Sequence, residues 1–306
     1  AQLSRGLGDV YKRQLLVERS RIDHIKPGNL DDDFNEIKDA DWVIEAVVER
    51  IDIKHKLYSQ IDKVRSPNSI ISSNTSTIPL SILTQEMSDS MKADFCITHF
   101  FNPVRFMRLL EIVETPTMNK DKMGGLRDFC KNELGKGIVN CNDTPGFIGN
   151  RIGVYAMQVA MYEALERGLP VEIADALFGR PLGIPKTGVF GLYDLIGIDL
   201  MKDVLASFKK ELQENDPFMD VVKPHPLVEQ LLEKGFNGNK GPGGFYQTTI
   251  VEGDEHVKAM NTSDMSYYDF DKVDLEIARR VEKEGIKALL DDNSCLLYTS
   301  PSPRDS

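Results

Sequence analysis

The sequence contains no run of about 18 apolar residues, so nothing in it reads as a membrane span and no membrane partner is expected. Its four cysteines, Cys96, Cys130, Cys141 and Cys295, form no CxxC pair and no metal-ligand spacing. That excludes a zinc ribbon and a disulfide-dense scaffold, and it suits a reducing, cytoplasmic setting. The basic-then-apolar layout of a signal peptide is missing from the N-terminus. Positive charge is in deficit: 37 Lys and Arg face 48 Asp and Glu, a net charge of −11. Nucleic acid is therefore not expected as a partner, although a local basic pocket for an anionic cofactor remains compatible with that total. Internal repeats and low-complexity tracts are absent too. So is the strand, G-x-G-x-x-G, helix signature of a dinucleotide loop, because Gly6 and Gly8 follow no strand and lack a third glycine.

What is present is an ordinary globular mixture, 41% hydrophobic and 28% charged over 306 residues, enough for two domains. The ends do not match the rest. Residues 9–14 (DVYKRQ) and 295–300 (CLLYTS) can be encoded by one DNA element read in opposite orientations, and both resemble translated sequencing adapters. Residues 1–14 and 295–306 are therefore expected to be non-native and are set aside from fold reasoning.

Between those ends the pattern changes once. The apolar, β-branched run at 41–49 (DWVIEAVVE) predicts a buried strand, and Ile53, Leu57, Ile61 and Val64 recur at helical spacing after it. Short strands are predicted at 69–72, 95–101, 109–113 and 137–141. A helix capped by Asn119 is expected to turn Met123, Leu126, Phe129 and Leu134 inward. Strands alternating with helices imply a parallel α/β sheet. From Thr144 and Pro145, a suitable cap and first helical residue, the pattern becomes helical. One long helix is expected to bury Ile148, Ile152, Tyr155, Val159, Tyr162 and Leu165. Further helices are predicted at 171–178, 192–212 and 226–234. Residues 247–270 are polar with weak periodicity, and 273–290 return to helical spacing, weakened by Gly285.

The most informative stretch is THFFNP at 98–103, followed by Glu111. An imidazole at the end of an apolar strand, with a carboxylate partner, is a general acid/base pair in outline: the carboxylate fixes the tautomer and stabilises the imidazolium. Read alone, His99 fits a satisfied, half-buried histidine before a turn better than an acid/base pair.

Taken together, the 41–49 run, SSNTS (72–76), HFFNP (99–103), LLEIV around Glu111, DTPGFIGNR (143–151) and KGPGGFY (240–246) resemble the 3-hydroxyacyl-CoA dehydrogenase family of fatty-acid β-oxidation, in order and spacing. The resemblance implies a Rossmann-like, doubly wound NAD-binding domain followed by an all-helical C-terminal domain that also forms a homodimer. It implies oxidation of a (3S)-3-hydroxyacyl-CoA by NAD. His99 would be the base, Glu111 its partner, Ser76 a hydroxyl touching substrate and nicotinamide, and Asn150 a contact to the reacting oxygen. Glu49, Lys54 and Lys240 would lie at the cofactor. The family's glycine-rich loop belongs upstream of residue 41, where only 15–40 stand. The sheet is therefore expected to lack its first βαβ unit, to leave the 41–49 strand as an edge, and to bind NAD weakly as it stands. The expected division is a partial NAD-binding domain at 15–143, a helical domain at 144–246, and an extension at 247–294 leading towards a fused enoyl-CoA hydratase domain. The alternatives are a dehydrogenase-like chain retained as a binding protein, or a two-domain hydroxy-acid dehydrogenase.

Overall fold

Short strands, the central ones buried on both faces, alternate with helices in the first half of the chain. In the computed structural model these are β1 (Trp42–Glu45), α1 (Ile51–Val64), β2 (Ile70–Ser73), the single-turn helices α2 (Leu80–Leu83) and α3 (Asp89–Lys92), β3 (Phe95–Phe100), β4 (Leu109–Glu114), α4 (Lys120–Asn132) and β5 (Gly137–Asn140). Ile71, Phe95, Ile97 and Val113 enter one apolar cluster with Leu57, Tyr58 and Ile61 of α1. Ile70, Cys96, Leu110 and Ile112 enter another, with Met123, Leu126 and Cys130 of α4. Neighbouring strand residues thus divide between two cores, as alternation across a pleat requires. The described residues are 19–179, 187–223, 225–251, 254–270, 279–280 and 283. The expected non-native ends at 1–14 and 295–306 lie outside them, as does the 273–290 helix apart from Arg279, Arg280 and Lys283. The chain divides into two units, 1–150 and 151–306.

The sheet order is β1-β2-β3-β4-β5, and β1 borders it among the described residues. The expected all-parallel sheet is mixed. β1/β2, β2/β3 and β4/β5 are parallel, but β3 and β4 are antiparallel. Only residues 101–108 join β3 to β4, fewer than the dozen or so that a parallel crossover needs. The register of that pair sets His99 directly opposite Glu111. Asn119 caps α4 as expected, its Oδ1 accepting the N–H groups of Asp121 and Lys122, each at 3.1 Å. Two of the side chains expected inward on α4, Phe129 and Leu134, are exposed. Cys130 is buried in their place, one helical step on from Met123 and Leu126. Burial pushes the Cys96 thiol up to about 12, so it serves as packing.

The long helix is α5 (Gly149–Glu166), and it begins later than expected. Gly146 and Phe147 take φ of 72° and 48°, which no α-helix admits, so 145–148 form a turn. The buried face of α5 also differs from expectation. Val154, Met157, Gln158, Ala160, Met161 and Ala164 are buried, whereas Ile148, Ile152, Tyr155 and Val159 are exposed, Ile152 by 66%. Small Ala160 and Ala164 alternate with Met157 and Met161 on the buried face, and the bulkier stripe is left outside.

The second unit continues with α6 (Val171–Leu177), α7 (Phe190–Ile196), α8 (Ile198–Glu211) and α9 (Pro226–Glu233). The single helix expected at 192–212 is broken at Gly197, whose φ is 103°. The stretch 247–270, expected as an extension, contributes β6 (Tyr246–Val251), β7 (Asp254–Met260) and β8 (Tyr267–Asp269), an antiparallel sheet in that order. Residues 248–251 of β6 and 254–257 of β7 are exposed, and the inner end, with Tyr246, Ala259, Met260, Tyr267 and Tyr268, joins the helical core. Too few positions are buried for alternation to register in the sequence. None of the described helices is long and apolar enough to cross a membrane.

Two buried carboxylates tie this unit together. Asp175 accepts the N–H groups of Phe190 (2.7 Å) and Gly191 (2.9 Å) and the Tyr246 hydroxyl (2.9 Å). Asp194 accepts the N–H groups of Phe245 (2.9 Å) and Tyr246 (2.7 Å). A Cβ at Gly244 would stand 2.0 Å from Asp194 Oδ1, which accounts for a glycine in KGPGGFY. Burial outweighs these donors and pushes the two carboxyls up to about 6 and about 7. Both pKa values lie above their unfolded values, so the folded unit holds more protons between the two. Its stability is complete below the unfolded carboxyl value and declines as pH rises through 6 to 7. Calorimetric unfolding from pH 5 to pH 8 is expected to show this unit losing on the order of 4 kcal/mol. Fluorescence of the single tryptophan, Trp42 in the first unit, should not follow that decline.

Candidate active site

The antiparallel β3/β4 register brings an imidazole and a carboxylate together inside the first unit. His99 Nδ1–H donates to Glu111 Oε2 at 2.7 Å, and the two side chains are 7% and 0% exposed. The carboxylate can only accept, so the imidazole carries its proton on Nδ1 and leaves Nε2 as the basic nitrogen. The other carboxylate oxygen, Oε1, accepts the backbone N–H groups of Ile148 (2.9 Å) and Gly149 (2.7 Å). Glu111 therefore caps α5 as well as orienting His99, and the positive-φ turn at Gly146 and Phe147 aims those N–H groups at it. Burial alone would raise the Glu111 carboxyl. The bonds from His99, Gly149 and Ile148 outweigh burial and hold it below the usual carboxylate range. Cys141 Sγ lies 3.6 Å from Oε1, and burial with the Glu111 charge pushes its thiol up to about 12, so it stays a donor.

Phe101 and Phe147 wall the imidazole, with ring centroids 4.5 and 5.7 Å from it. Phe101 also fills the space over Gly149, where a Cβ would meet its Cζ at 2.6 Å. Alanine at this helix-start position would gain up to roughly 1 kcal/mol of helix propensity, which offsets much of the packing cost. Gly149→Ala is therefore expected to melt within a few degrees of the unaltered chain while its turnover falls several-fold, because Phe101 is pushed against His99. Paired melting curves and steady-state rates check this.

The carboxyl ends of β1 and β2 carry a second network. Glu45, at the end of β1, accepts Lys54 Nζ at 2.7 Å and Val47 N–H at 2.7 Å on Oε1, and the Tyr58 and Ser73 hydroxyls, each at 2.6 Å, on Oε2. Lys54, 1% exposed, also reaches Glu49 Oε2 at 3.2 Å. Glu49 Oε1 accepts the Thr75 hydroxyl, Ser76 N–H (3.2 Å), Thr77 N–H (3.3 Å) and the Thr77 hydroxyl (3.1 Å). Burial would raise Glu49, but the Thr75 and Lys54 contacts outweigh it and hold the group low, as a carboxylate. In this arrangement Lys54 orients Glu49 from within the network. Ser76 is half-buried at the same rim.

His99, Glu111, Ser76, Glu49, Lys54 and Asn150 thus all fall in the first unit, Asn150 next to the Gly149 amide that caps onto Glu111. Lys240 falls in the second unit, exposed, with its Nζ 3.7 Å from Asp199. Sequence reasoning missed three positioning residues. Asn74 Oδ1 accepts Phe100 N–H at 3.0 Å, tying the SSNTS loop to the end of β3. Asp143 accepts the N–H groups of Leu80 and Ser81, the latter at 2.8 Å, at the start of α2. Glu45 anchors the network above. A charged residue inside an otherwise apolar strand was the available signal for Glu45; Asn74 and Asp143 read as ordinary turn residues.

Known proteins resemble this chain in sequence and in fold. Residues 1–144 match the family model described as 3-hydroxyacyl-CoA dehydrogenase, NAD binding domain, and residues 146–248 match the 3-hydroxyacyl-CoA dehydrogenase C-terminal domain. A Rickettsia felis protein described as a fatty acid oxidation complex trifunctional enzyme is 40% identical over 83% of this chain, which spans only 35% of that relative's length. A Caenorhabditis elegans protein described as a 3-hydroxyacyl-CoA dehydrogenase is 38% identical, with 76% of this chain and 72% of the relative covered. The crystal structure of (S)-3-hydroxybutyryl-CoA dehydrogenase from Ralstonia eutropha superposes with a TM-score of 0.63 at 29% identity, covering 79% of this chain and 81% of that one. The chain belongs to the 3-hydroxyacyl-CoA dehydrogenase family.

Proposed function

We propose that this protein oxidises (3S)-3-hydroxyacyl-CoA to 3-oxoacyl-CoA with NAD, a step of fatty-acid β-oxidation. The observation that carries the proposal is the buried His99–Glu111 pair, with Nδ1 engaged and Nε2 left as a base. As the C3 hydroxyl loses its proton to Nε2 and the C3–H bond breaks, a C3=O double bond forms and the imidazole becomes an imidazolium. Glu111, already ionised and fixed by three donors, stabilises that charge without having to reorganise. NAD, when bound, accepts the hydride. The rim at the carboxyl ends of β1 and β2 suits the nicotinamide riboside end: the Glu49 carboxylate can accept from ribose hydroxyls, and Ser76 can meet the ring and the substrate. Asn150, at the start of α5, would contact the reacting oxygen, and Lys240 would approach the cofactor.

The exposed stripe of Ile152, Tyr155 and Val159 on α5, with Ile148 in the turn before it, supports a homodimer formed through the helical domain. The relatives described as trifunctional enzymes of a fatty acid oxidation complex support fusion to further activities, and we propose an enoyl-CoA hydratase as one of them. To test the activity, the chain is given (S)-3-hydroxybutyryl-CoA and saturating NAD, and NADH formation is recorded. NADH in step with ketone is expected. A purified, folded chain that binds both ligands and forms no NADH would overturn the proposal.

A further inference from the structure

Lys136, immediately before β5, is a buried cation that the proposed chemistry does not use. It is 7% exposed, and among the described residues its Nζ meets carbonyl oxygens rather than a carboxylate: those of Val104 and of Met107, the latter at 2.8 Å. The same ammonium lies 5.7 Å from the centroid of the Phe100 ring. Burying an ammonium is costly unless its donors are satisfied, so a charge retained here has a structural consequence. Its partners all lie in or beside residues 101–108, the connection between the strand bearing His99 and the strand bearing Glu111. Within that connection the Phe106 and Met107 amides both donate to Pro103 O, at 2.9 and 3.0 Å, closing a turn. Gly137 N–H donates to Arg108 O at 2.7 Å. The connection is thereby fastened to the start of β5 at three carbonyls, two of them through Lys136. It begins with Phe101, the ring packed on His99.

We infer that Lys136 is a positioning residue for the reaction: it fixes the 101–108 connection, through it Phe101, and so the direction of His99 Nε2. The inference rests on the reading of His99 as the base. Lys136 touches no reacting atom in this arrangement; its effect reaches the site through the turn and the Phe101 ring.

Lys136→Met keeps the apolar stem and removes both carbonyl contacts, and Lys136→Arg keeps donors in place. Hydrogen exchange in the Met variant is expected to speed up at Phe106 and Met107 by about tenfold or more, with the β1 and β2 amides unchanged. At saturating NAD its kcat should fall about 10- to 100-fold, the cost of a misplaced base, with NADH affinity unaltered. The Arg variant should recover part of both. Exchange at Phe106 and Met107 within about twofold of the unaltered chain would overturn the inference. So would equal acceleration across β1 and β2, or an unchanged kcat. Absence of turnover in the unaltered chain would instead sink the proposed activity, and the exchange measurement would still decide whether Lys136 fastens the connection.

Discussion

His99→Gln is expected to lower kcat by about 10²–10⁴-fold, the contribution of a positioned general base, while KM changes far less. Glutamine can still donate from its amide to Glu111 Oε2, so the carboxylate keeps its partner and the β3/β4 register need not shift. What disappears is a basic nitrogen to take the hydroxyl proton. The side chain lies between Phe101 and Phe147, so the substitution alters little exposed surface, and melting should be nearly unchanged. NADH affinity, measured by calorimetry, should also hold, because Glu49 and Ser76 belong to the separate network at the ends of β1 and β2. A variant with full turnover would remove His99 from the reaction.

Glu111→Gln is expected to damage both rate and fold, which sets it apart from the histidine variant. The carboxylate accepts from His99, Ile148 and Gly149 at once and has no exposed surface. A glutamine offers one acceptor oxygen where two are in use. Its amide nitrogen would face either the imidazole N–H or the two backbone N–H groups, setting donor against donor. Leaving buried donors unpaired should cost roughly 2–4 kcal/mol, seen as earlier melting in Trp42 fluorescence. The imidazolium also loses its counter-charge, so kcat should fall by about 10²-fold or more. The pH dependence follows from the same geometry. The Glu111 pKa is held below its unfolded value, so its stabilisation is present above the unfolded value and is lost as pH falls through the folded one. The first unit should therefore weaken in acid, and Glu111→Gln should flatten that acid limb. An unchanged acid limb in the variant would show that the carboxylate is not ionised in the fold.

The strands were legible because strands buried on both faces leave short, continuous apolar and β-branched runs, and 95–101 and 109–113 lie within a residue or so of β3 and β4. The parallel direction expected for them fails at this pair, because the 101–108 connection is too short for a crossover. The start of α5 was misplaced because Thr144 and Pro145 are good helix-start residues locally. Gly146 and Phe147 override that preference so that Ile148 and Gly149 can cap onto Glu111, a partner distant in sequence. The exposed stripe of α5 was read as core for a related reason: periodicity marks an apolar face but does not say what covers it. In the site, a strand-end histidine and a strand carboxylate were visible as types, and only the register made them a pair. Lys54 read as a charged residue at a turn, and its burial between Glu45 and Glu49 depends on a strand charge that nothing local explains.

Isotope transfer tests the proposed chemistry most directly. The chain is supplied with (S)-3-hydroxybutyryl-CoA deuterated at C3 and with saturating NAD, and the products are weighed by mass spectrometry, in parallel with His99→Gln. Deuterium should appear in the reduced cofactor, in equal amount to the 3-oxoacyl-CoA formed, and both should nearly vanish in the histidine variant. Deuterium released to water, or transfer undiminished without the imidazole, would contradict a hydride transfer assisted by His99.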